Sequence, residues 1–317
     1  MYEQWMKSTM PVHIQYESPE VIELSDLVEH LRQSSLDPRD HDSMISVAPA
    51  LKQLANNRDF LSEMICGELK DNQDIQADND YTPQVFMLHA PQVAGQSYFL
   101  RACFWPGEND EILLSSGKGA FFYGVPHDHN FNFLTVGYQG PGYSSDYFEY
   151  DYAKVPGVPG EQVDLKFIER SALSEGKILL YRAFTDIHRQ IAPERFSVSI
   201  NIMEHSLRSV TMDQYEFHPE NWTISNVINR SSALPMFMIA AGSGNGEAQH
   251  VLRDIFRSHA VERVRMAALE ALVASSPTPD AALELVRLVH SRHSRFMRGR
   301  ALQLAARIEQ GAGHADN

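Results

Sequence analysis

The amino-acid sequence predicts an α+β fold in which a central β-region lies between two helical regions. Three observations support this prediction. Apolar residues recur every three or four positions in 18–33 and in 43–66, which is the spacing of amphipathic helices. Short apolar runs separated by turn residues then follow from about residue 84 to Met203, as expected for strands. After Met203 the helical spacing returns.

The predicted elements define three regions along the chain. In the first helix, Val21, Leu24, Leu27, Val28 and Leu31 share one face, and Pro19 lies near the first turn. The main predicted strands are 85–89, 97–105, 111–114, 131–138, 177–183 and 196–203. We therefore predict an N-terminal helical segment over 1–80 packed on a β-barrel, the barrel over 81–210, and a C-terminal helical region over 211–317.

Composition excludes several classes of protein. The chain has 317 residues, 43% of them hydrophobic, which is enough for a folded core. Its formal net charge of −14 makes binding to nucleic acid or to an anionic membrane unfavourable. The sequence shows no signal-peptide pattern and no apolar run near the roughly 20 residues that span a bilayer, so we expect a cytoplasmic protein. Two cysteines, Cys66 and Cys103, cannot form a disulfide framework or a thiolate metal cluster.

The segment 124–129 reads Gly-Val-Pro-His-Asp-His and contains two histidines one residue apart. On a strand, alternate side chains share a face, so His127 and His129 would point the same way with Cα atoms roughly 7 Å apart. A third histidine, His188, follows the apolar run 177–183. Two or three imidazoles on one surface can hold a metal ion. The pattern therefore predicts a three-histidine metal site.

These residues resemble the two sequence motifs of the cupin superfamily. The first motif has a glycine, His-x-His, a glutamate four or five residues later and another glycine, and Gly124, His127, His129 and Gly140 match it. The glutamate is missing, because Phe133 and Leu134 occupy its positions. The second motif is similar to the segment from Gly176 to His188, although its usual Pro-x-Gly turn is absent. The resemblance implies a double-stranded β-helix, also called a jelly roll.

Three histidines without the glutamate resemble the thiol dioxygenase branch of the cupins. That resemblance implies a non-heme Fe(II) site in His127, His129 and His188, with dioxygen as co-substrate and no organic cofactor. Three protein ligands leave positions open for a chelating substrate and dioxygen. The expected function is an oxygenase or oxidase that acts on a small molecule or a peptide side chain. Zinc, manganese and nickel are alternative metals.

Two other functions remain open on sequence grounds. Arg195 and Ser197 follow His188 in a pattern similar to 2-oxoglutarate oxygenases, where such residues bind the carboxylate of the co-substrate. Those enzymes usually carry His-x-Asp, whereas this chain has His129 at the second position. The second alternative is a non-oxidative metal cupin, or a ligand-sensing protein whose helical tail docks a partner.

Five polar residues near the three histidines in sequence are candidates for orienting the substrate, dioxygen or the imidazoles. They are Tyr123, Tyr138, Tyr181, Gln190 and Arg195. Each assignment depends on strand register, because a shift by one residue turns a side chain to the other face of its sheet.

The C-terminal region contains an internal repeat. Residues 247–265 align without a gap onto 280–298, a period of 33 residues, and 264–272 resembles the second helix of a HEAT repeat. This region is rich in arginine, with Arg287, Arg292, Arg295, Arg298 and Arg300 close together. Such a cluster is either a solvated helix face, an ion-pair contact, or a docking site for an acidic protein partner. A homodimer contact is a further expectation for the helices outside the barrel.

Overall fold

The structure is a computed structural model, and it contains helices together with two antiparallel sheets. It describes residues 6–7, 11–71, 76, 84–90, 97–228 and 233–315. The chain divides into two compact units, each made of two segments. Unit 1 comprises Met1–Tyr150 and Asp164–Leu207, and unit 2 comprises Asp151–Val163 and Arg208–Asn317. The predicted division at 80/81 and 210/211 stays a prediction.

Four helices of unit 1 follow its first two strands and precede the others. They are α1 (Leu24–Gln33), α2 (His41–Ser46), α3 (Ala48–Asn56) and α4 (Phe60–Asp71), followed later by α5 (Glu111–Ser116). The sequence predicted one helical stretch over 43–66, and the structure has three helices there. Pro49 lies in the first turn of α3. Proline is accepted at a helix start but not in its interior, so a new helix begins at this point.

Five of the eleven strands described in unit 1 match the apolar runs of the sequence, at 85–89, 97–105, 131–138, 177–183 and 196–203. The eleven strands are β1 (Met6–Lys7), β2 (Val12–Ile14), β3 (Val85–His89), β4 (Tyr98–Trp105), β5 (Pro126–Asp128), β6 (Phe133–Gln139), β7 (Ser144–Glu149), β8 (Lys166–Ala172), β9 (Ile178–Tyr181), β10 (Asp186–Ile191) and β11 (Ser197–Glu204). The predicted strand over 111–114 is wrong, because α5 occupies it. Asp110 takes the N-cap position of that helix, and Gly117 ends it with a positive φ.

Two sheets form the centre of unit 1. The first sheet has the order β1-β2-β9-β6-β11-β4-β3, and the strands of unit 1 in the second sheet have the order β5-β10-β7-β8. All neighbouring strands in both sheets are antiparallel. From β4 to β11 the chain crosses repeatedly between the two sheets, and only β7 and β8 are consecutive strands of one sheet. Residues far apart in sequence therefore become neighbours between the sheets.

The first sheet separates two hydrophobic cores. One core lies between this sheet and the N-terminal helices and includes Leu134, Val136 and Tyr138 of β6. The other core lies between the two sheets and includes Phe133 of β6 and Tyr147 from the second sheet. Alternate residues of one strand thus enter different cores, as strand geometry requires. The space between the sheets is the interior in which the histidines lie.

Unit 2 is largely helical. Its elements are α6 (Arg208–Thr211), β12 (Tyr215–Phe217), β13 (Ile224–Val227), α7 (Ala233–Gly242), α8 (Gly246–Ser258), α9 (Glu262–Ala274), α10 (Pro279–Val286) and α11 (Arg295–Ala315). The starts of α8 and α10 are separated by the predicted repeat period, and so are those of α9 and α11. HEAT-type packing of these helices stays a prediction. Among the described residues, no helix has the length and apolar character needed to cross a bilayer.

Gly142 provides a test of the packing in unit 1. Its φ is +76°, and a Cβ atom there would lie 1.8 Å from the carbonyl oxygen of Leu173. We expect Gly142→Ala to lower the free energy of unfolding by at least about 2 kcal/mol, through steric overlap and backbone strain. Gly119→Ala is the matched control, since nothing lies within 4 Å of its Cβ position. Equal denaturation midpoints for the two variants would contradict this packing.

Candidate metal centre

The pairing of β5 with β10 brings the three histidines together. His188 lies directly opposite His127 in this antiparallel pair. His129 follows two residues after His127 and therefore lies on the same face. The exposed fractions of His127, His129 and His188 are 5%, 8% and 2%. The structure thus buries all three predicted metal ligands together, in the space between the sheets.

The ring nitrogens of the three histidines converge on one point. Nε2 of His188 lies 3.0 Å from Nε2 of His127 and 3.1 Å from Nε2 of His129. Two ligand nitrogens at about 2.1 Å from one ion are about 3.0 Å apart at a right angle, and about 3.4 Å apart at the tetrahedral angle. The observed separations match the spacing that a shared metal ion requires. Among the described residues, these three are the group able to hold one.

Hydrogen bonding determines which nitrogen of His127 is available. Its Nδ1 lies 2.9 Å from the carbonyl oxygen of Val125. Because a carbonyl only accepts, Nδ1 carries the proton and the lone pair of neutral His127 is on Nε2, facing the other histidines. The buried Nδ1 of His188 has no hydrogen-bond partner in the part of the chain that the structure describes.

Burial keeps the three imidazoles neutral. It lowers the pKa of His127 to about 4, a change only partly opposed by the hydrogen bond to Val125. Burial also lowers the pKa of His129 and His188 well below the usual value, and the charge of a protonated His127 would lower both further. At neutral pH all three rings are therefore neutral, the form of histidine that binds a metal cation.

The structure supplies no carboxylate to this cluster. At the first of the two positions where the cupin motif has glutamate, the ring of Phe133 packs against His129 with centroids 4.9 Å apart. At the second, Leu134 points into the other core. Asp128, between the two histidines, accepts a hydrogen bond from the hydroxyl of Tyr150. The described residues therefore offer an all-imidazole ligand set.

Tyr181 and Gln190 belong to a buried polar network beside the histidines. The ring of Tyr181 lies 5.0 Å from that of His188. Its hydroxyl hydrogen-bonds to the hydroxyls of Tyr147, at 2.9 Å, and Tyr143, at 3.3 Å. Gln190 hydrogen-bonds to Tyr143. Burial raises the pKa of Tyr147 to about 12 and those of Tyr143 and Tyr181 further, so these phenols remain protonated.

The other predicted polar residues lie elsewhere. Tyr138 points into the core between the first sheet and the helices, and its hydroxyl donates to backbone carbonyls of Asn57 and Arg58. The hydroxyl of Tyr123 donates to the carbonyl of Pro106 at 3.0 Å. Tyr123 is in the core between the sheets, but its polar atom is used by the backbone. Tyr138 is therefore on the wrong face of its sheet to reach the histidines.

Arg195 and Ser197, the two residues proposed for 2-oxoglutarate binding, do not both direct their side chains toward the histidines. Arg195 is exposed, in the loop between β10 and β11. Ser197 is fully buried, and its hydroxyl donates to the carbonyl of Arg195 and accepts from the backbone N–H of Gly142. Both hydrogen bonds of the Ser197 hydroxyl are therefore made to main-chain atoms.

Two residues near the site were missed by sequence reasoning. Arg101 lies on β4 between Phe99 and Cys103, which both face the core between the sheets, so its side chain points the same way. Its charge also lowers the pKa of His129. The ring of Phe122 lies 5.4 Å from that of His127, and the backbone of Phe122 has a φ of +58°. An arginine in an otherwise apolar strand was the available signal for Arg101.

Comparison with known proteins gives limited information. No protein-family model matches the sequence, and no curated protein matches it. Solved structures that match part of this chain include the hydroquinone 1,2-dioxygenase PnpCD in complex with Cd²⁺ and 4-hydroxybenzonitrile, with 13% identity, 44% of this chain and 74% of the other covered, and a TM-score of 0.25.

Two further solved structures give similar values. The hydroquinone 1,2-dioxygenase from Sphingomonas sp. TTNP3 is 8% identical, with 42% of this chain and 73% of the other covered and a TM-score of 0.25. The DMSP lyase DddQ from Ruegeria pomeroyi DSS-3 is 11% identical, with 67% and 84% covered and a TM-score of 0.24. Similarity at this level assigns neither a family nor an activity to this chain.

The lowered histidine pKa values predict how the stability of the metal-free protein depends on pH. Between pH 6.5 and pH 4 the unfolded chain binds protons that folded His127 does not, so stability is lost as pH falls. From pH 7.5 to pH 5, His127 alone should cost about 2 kcal/mol, measured by denaturant unfolding. His127→Asn should flatten this dependence. A profile that is the same with and without His127 would contradict neutral burial.

Proposed function

We propose that this protein is a metal-dependent cupin enzyme in which His127, His129 and His188 hold one divalent ion, with Fe(II) as the metal and oxygenation of a small molecule as the reaction. The observation that carries the proposal is the convergence of three buried, neutral imidazole nitrogens at separations of 3.0 and 3.1 Å. One Nε2–H could lie in only one of these two contacts, whereas a single metal ion accommodates all three nitrogens.

The strand order supports the cupin assignment. The eight strands from β4 to β11 form one sheet with the order β9-β6-β11-β4 and a second with β5-β10-β7-β8. This alternation is the one expected of a double-stranded β-helix built from eight strands. The histidines lie on β5 or immediately after it and on β10, which pair in the second sheet. The family assignment rests on this order together with the His-x-His motif.

The ligand set favours chemistry at an open metal position. When bound, an ion with three neutral ligands keeps its full positive charge and supplies Lewis-acid or redox chemistry to a substrate and dioxygen. Neutral imidazoles suit Fe(II) as well as zinc. A chelating substrate would bind beside the nitrogens of the three histidines.

The surrounding residues would orient the substrate. Arg101 places a guanidinium on the interior face near His129, where it would attract a carboxylate or another anionic group. Tyr181, with its raised pKa, would act as a hydrogen-bond donor rather than a base. Phe131 and Phe133 pack on His129 at 5.0 and 4.9 Å and would exclude water from one side. These features favour a small substrate with an anionic group.

The alternative functions predict different experimental results. The exposure of Arg195 and the bonded hydroxyl of Ser197 give no support to the 2-oxoglutarate alternative. A non-oxidative metal cupin would share the histidine site and differ only in metal and reaction. The two are separated by the metal that the protein retains and by its oxygen consumption.

The first test is metal content. We expect about one equivalent of Fe(II) to remain bound after anaerobic reconstitution and desalting, measured by plasma mass spectrometry. His188→Ala should reduce binding affinity at least about 100-fold, because it removes one of three ligands. His30→Ala, an exposed histidine on α1, is the control and should bind like the wild type. Unchanged metal content in His188→Ala would contradict the ligand assignment.

Oxygen uptake then tests the reaction. Small thiols that carry a carboxylate, beginning with L-cysteine, should cause oxygen consumption by the iron-loaded protein and none by His188→Ala. Succinate formed only with 2-oxoglutarate would instead support the second oxygenase alternative. Retention of zinc in preference to iron, without oxygen uptake, would support the non-oxidative alternative.

A further inference from the structure

A group of exposed arginines lies on unit 2. The segment 287–300 contains five arginines and no carboxylate. Three of them, Arg292, Arg295 and Arg298, are exposed and make no salt bridge with any residue that the structure describes. We refer to these three as the basic patch. These arginines form no ion pair with a described residue, although the charge of Arg295 acts on Glu161 and partly opposes the rise that burial causes in the pKa of that carboxyl.

The position of the basic patch on its helix is unfavourable in isolation. Helix α11 begins at Arg295, so Arg295 and Arg298 occupy its first turn, which has no acidic residue. The N-terminus of a helix carries a partial positive charge and is stabilised by nearby anions, not cations. Like charges here repel each other and the helix end. Bound negative charge would relieve both repulsions.

A cavity of about 540 Å³ adjoins the basic patch, and Arg295 lines it. Its two carboxylates already have donors within unit 2. Asp213 accepts from Arg263 at 2.6 Å, and Glu262 accepts from the hydroxyl of Ser294 at 2.6 Å. The charged lining residues, Asp213, Glu262, Arg263 and Arg295, therefore balance one another, and the excess positive charge lies beside the cavity on Arg292 and Arg298. Aromatic rings contribute much of the remaining wall, from Tyr152, Tyr215 and Phe296.

We propose that this surface of unit 2 binds an acidic segment of a partner protein that carries one apolar side chain. Carboxylates of the segment would pair with the basic patch, and the apolar side chain would enter the aromatic cavity. Leu302 is 73% exposed and follows Arg298 by one turn of α11, so it adds an apolar contact in line with the arginines. Binding of this kind is independent of the metal centre.

Charge favours a peptide over a nucleic acid or a membrane. The whole chain carries a formal charge of −14, which repels a long polyanion or an anionic surface at a distance. A short segment with a few carboxylates presents much less total charge. The aromatic cavity also provides a place for one apolar amino-acid side chain.

The test is fluorescence anisotropy with the full-length protein and a labelled peptide of twelve residues that contains five glutamates and a central leucine. The wild type should bind it at least about tenfold more tightly than a version with glutamine in place of glutamate, since glutamine cannot form the charge pairs with the arginines. Arg295→Glu/Arg298→Glu should lose at least about tenfold. Replacing the leucine of the probe by glycine should also weaken binding about tenfold.

Arg253→Glu is the matched control, since Arg253 is exposed on α8, outside the basic patch and the cavity lining, and this variant should bind the probe like the wild type. Circular dichroism should show that all variants are folded, and the single variant Arg298→Glu replaces the double variant if that one unfolds. Equal binding of the glutamate and glutamine probes, or equal losses in Arg253→Glu and in the patch variant, would overturn the proposal. So would preference for duplex DNA or anionic vesicles, or a patch-dependent dimer without peptide binding.

Discussion

Burial of three neutral imidazoles in mutual contact is the constraint on which the centre of unit 1 depends. Nε2 of His127 carries a lone pair toward the other two rings, because its Nδ1 proton is held by the carbonyl of Val125. Nitrogen lone pairs about 3 Å apart repel each other unless a proton or a cation lies between them. Burial makes protonation costly, as the low pKa of His127 shows. The N–H of a neutral His188 or His129 could fill one of the two contacts but not both, whereas one metal ion would accommodate all three nitrogens.

The pairing of strands within the second sheet determines where His127 and His188 lie. β10 pairs with β5 on one side and with β7 on the other, so His188 lies opposite His127 on one side and opposite Tyr147 on the other. A shift of one residue in either pairing would turn His188 to the other face of its sheet. The antiparallel register therefore positions ligands that are about 60 residues apart in sequence, and it also brings the tyrosine network beside them.

Local sequence patterns predicted the ligands better than their surroundings. The alternation of strand side chains was enough to place His127 and His129 on one face, whereas their meeting with His188 depends on long-range pairing that periodicity does not contain. Tyr138 was misplaced because β6 is buried on both faces and shows no polar alternation from which to read its direction.

Arg101 was missed for the same reason as Tyr138. Apolar residues occupy both faces of β4, so the direction of the Arg101 side chain could not be predicted from the sequence. The helix α5 was misread as a strand because four residues are too few to distinguish the two periods. Where a polar face exists, as in α1, the predicted apolar face was confirmed in part: Leu27 and Leu31 are buried, whereas Val21 precedes the helix and is 56% exposed. Prediction from sequence thus failed mainly where both sides of an element are apolar.

The most direct measurement of the central claim is X-ray absorption spectroscopy of the iron-loaded protein. The account predicts a first coordination shell that includes three imidazole nitrogens at about 2.0–2.2 Å, and the loss of one of them in His127→Ala. A shell made of oxygen atoms alone, or a spectrum that does not change in His127→Ala, would contradict the proposal that these three histidines bind the metal.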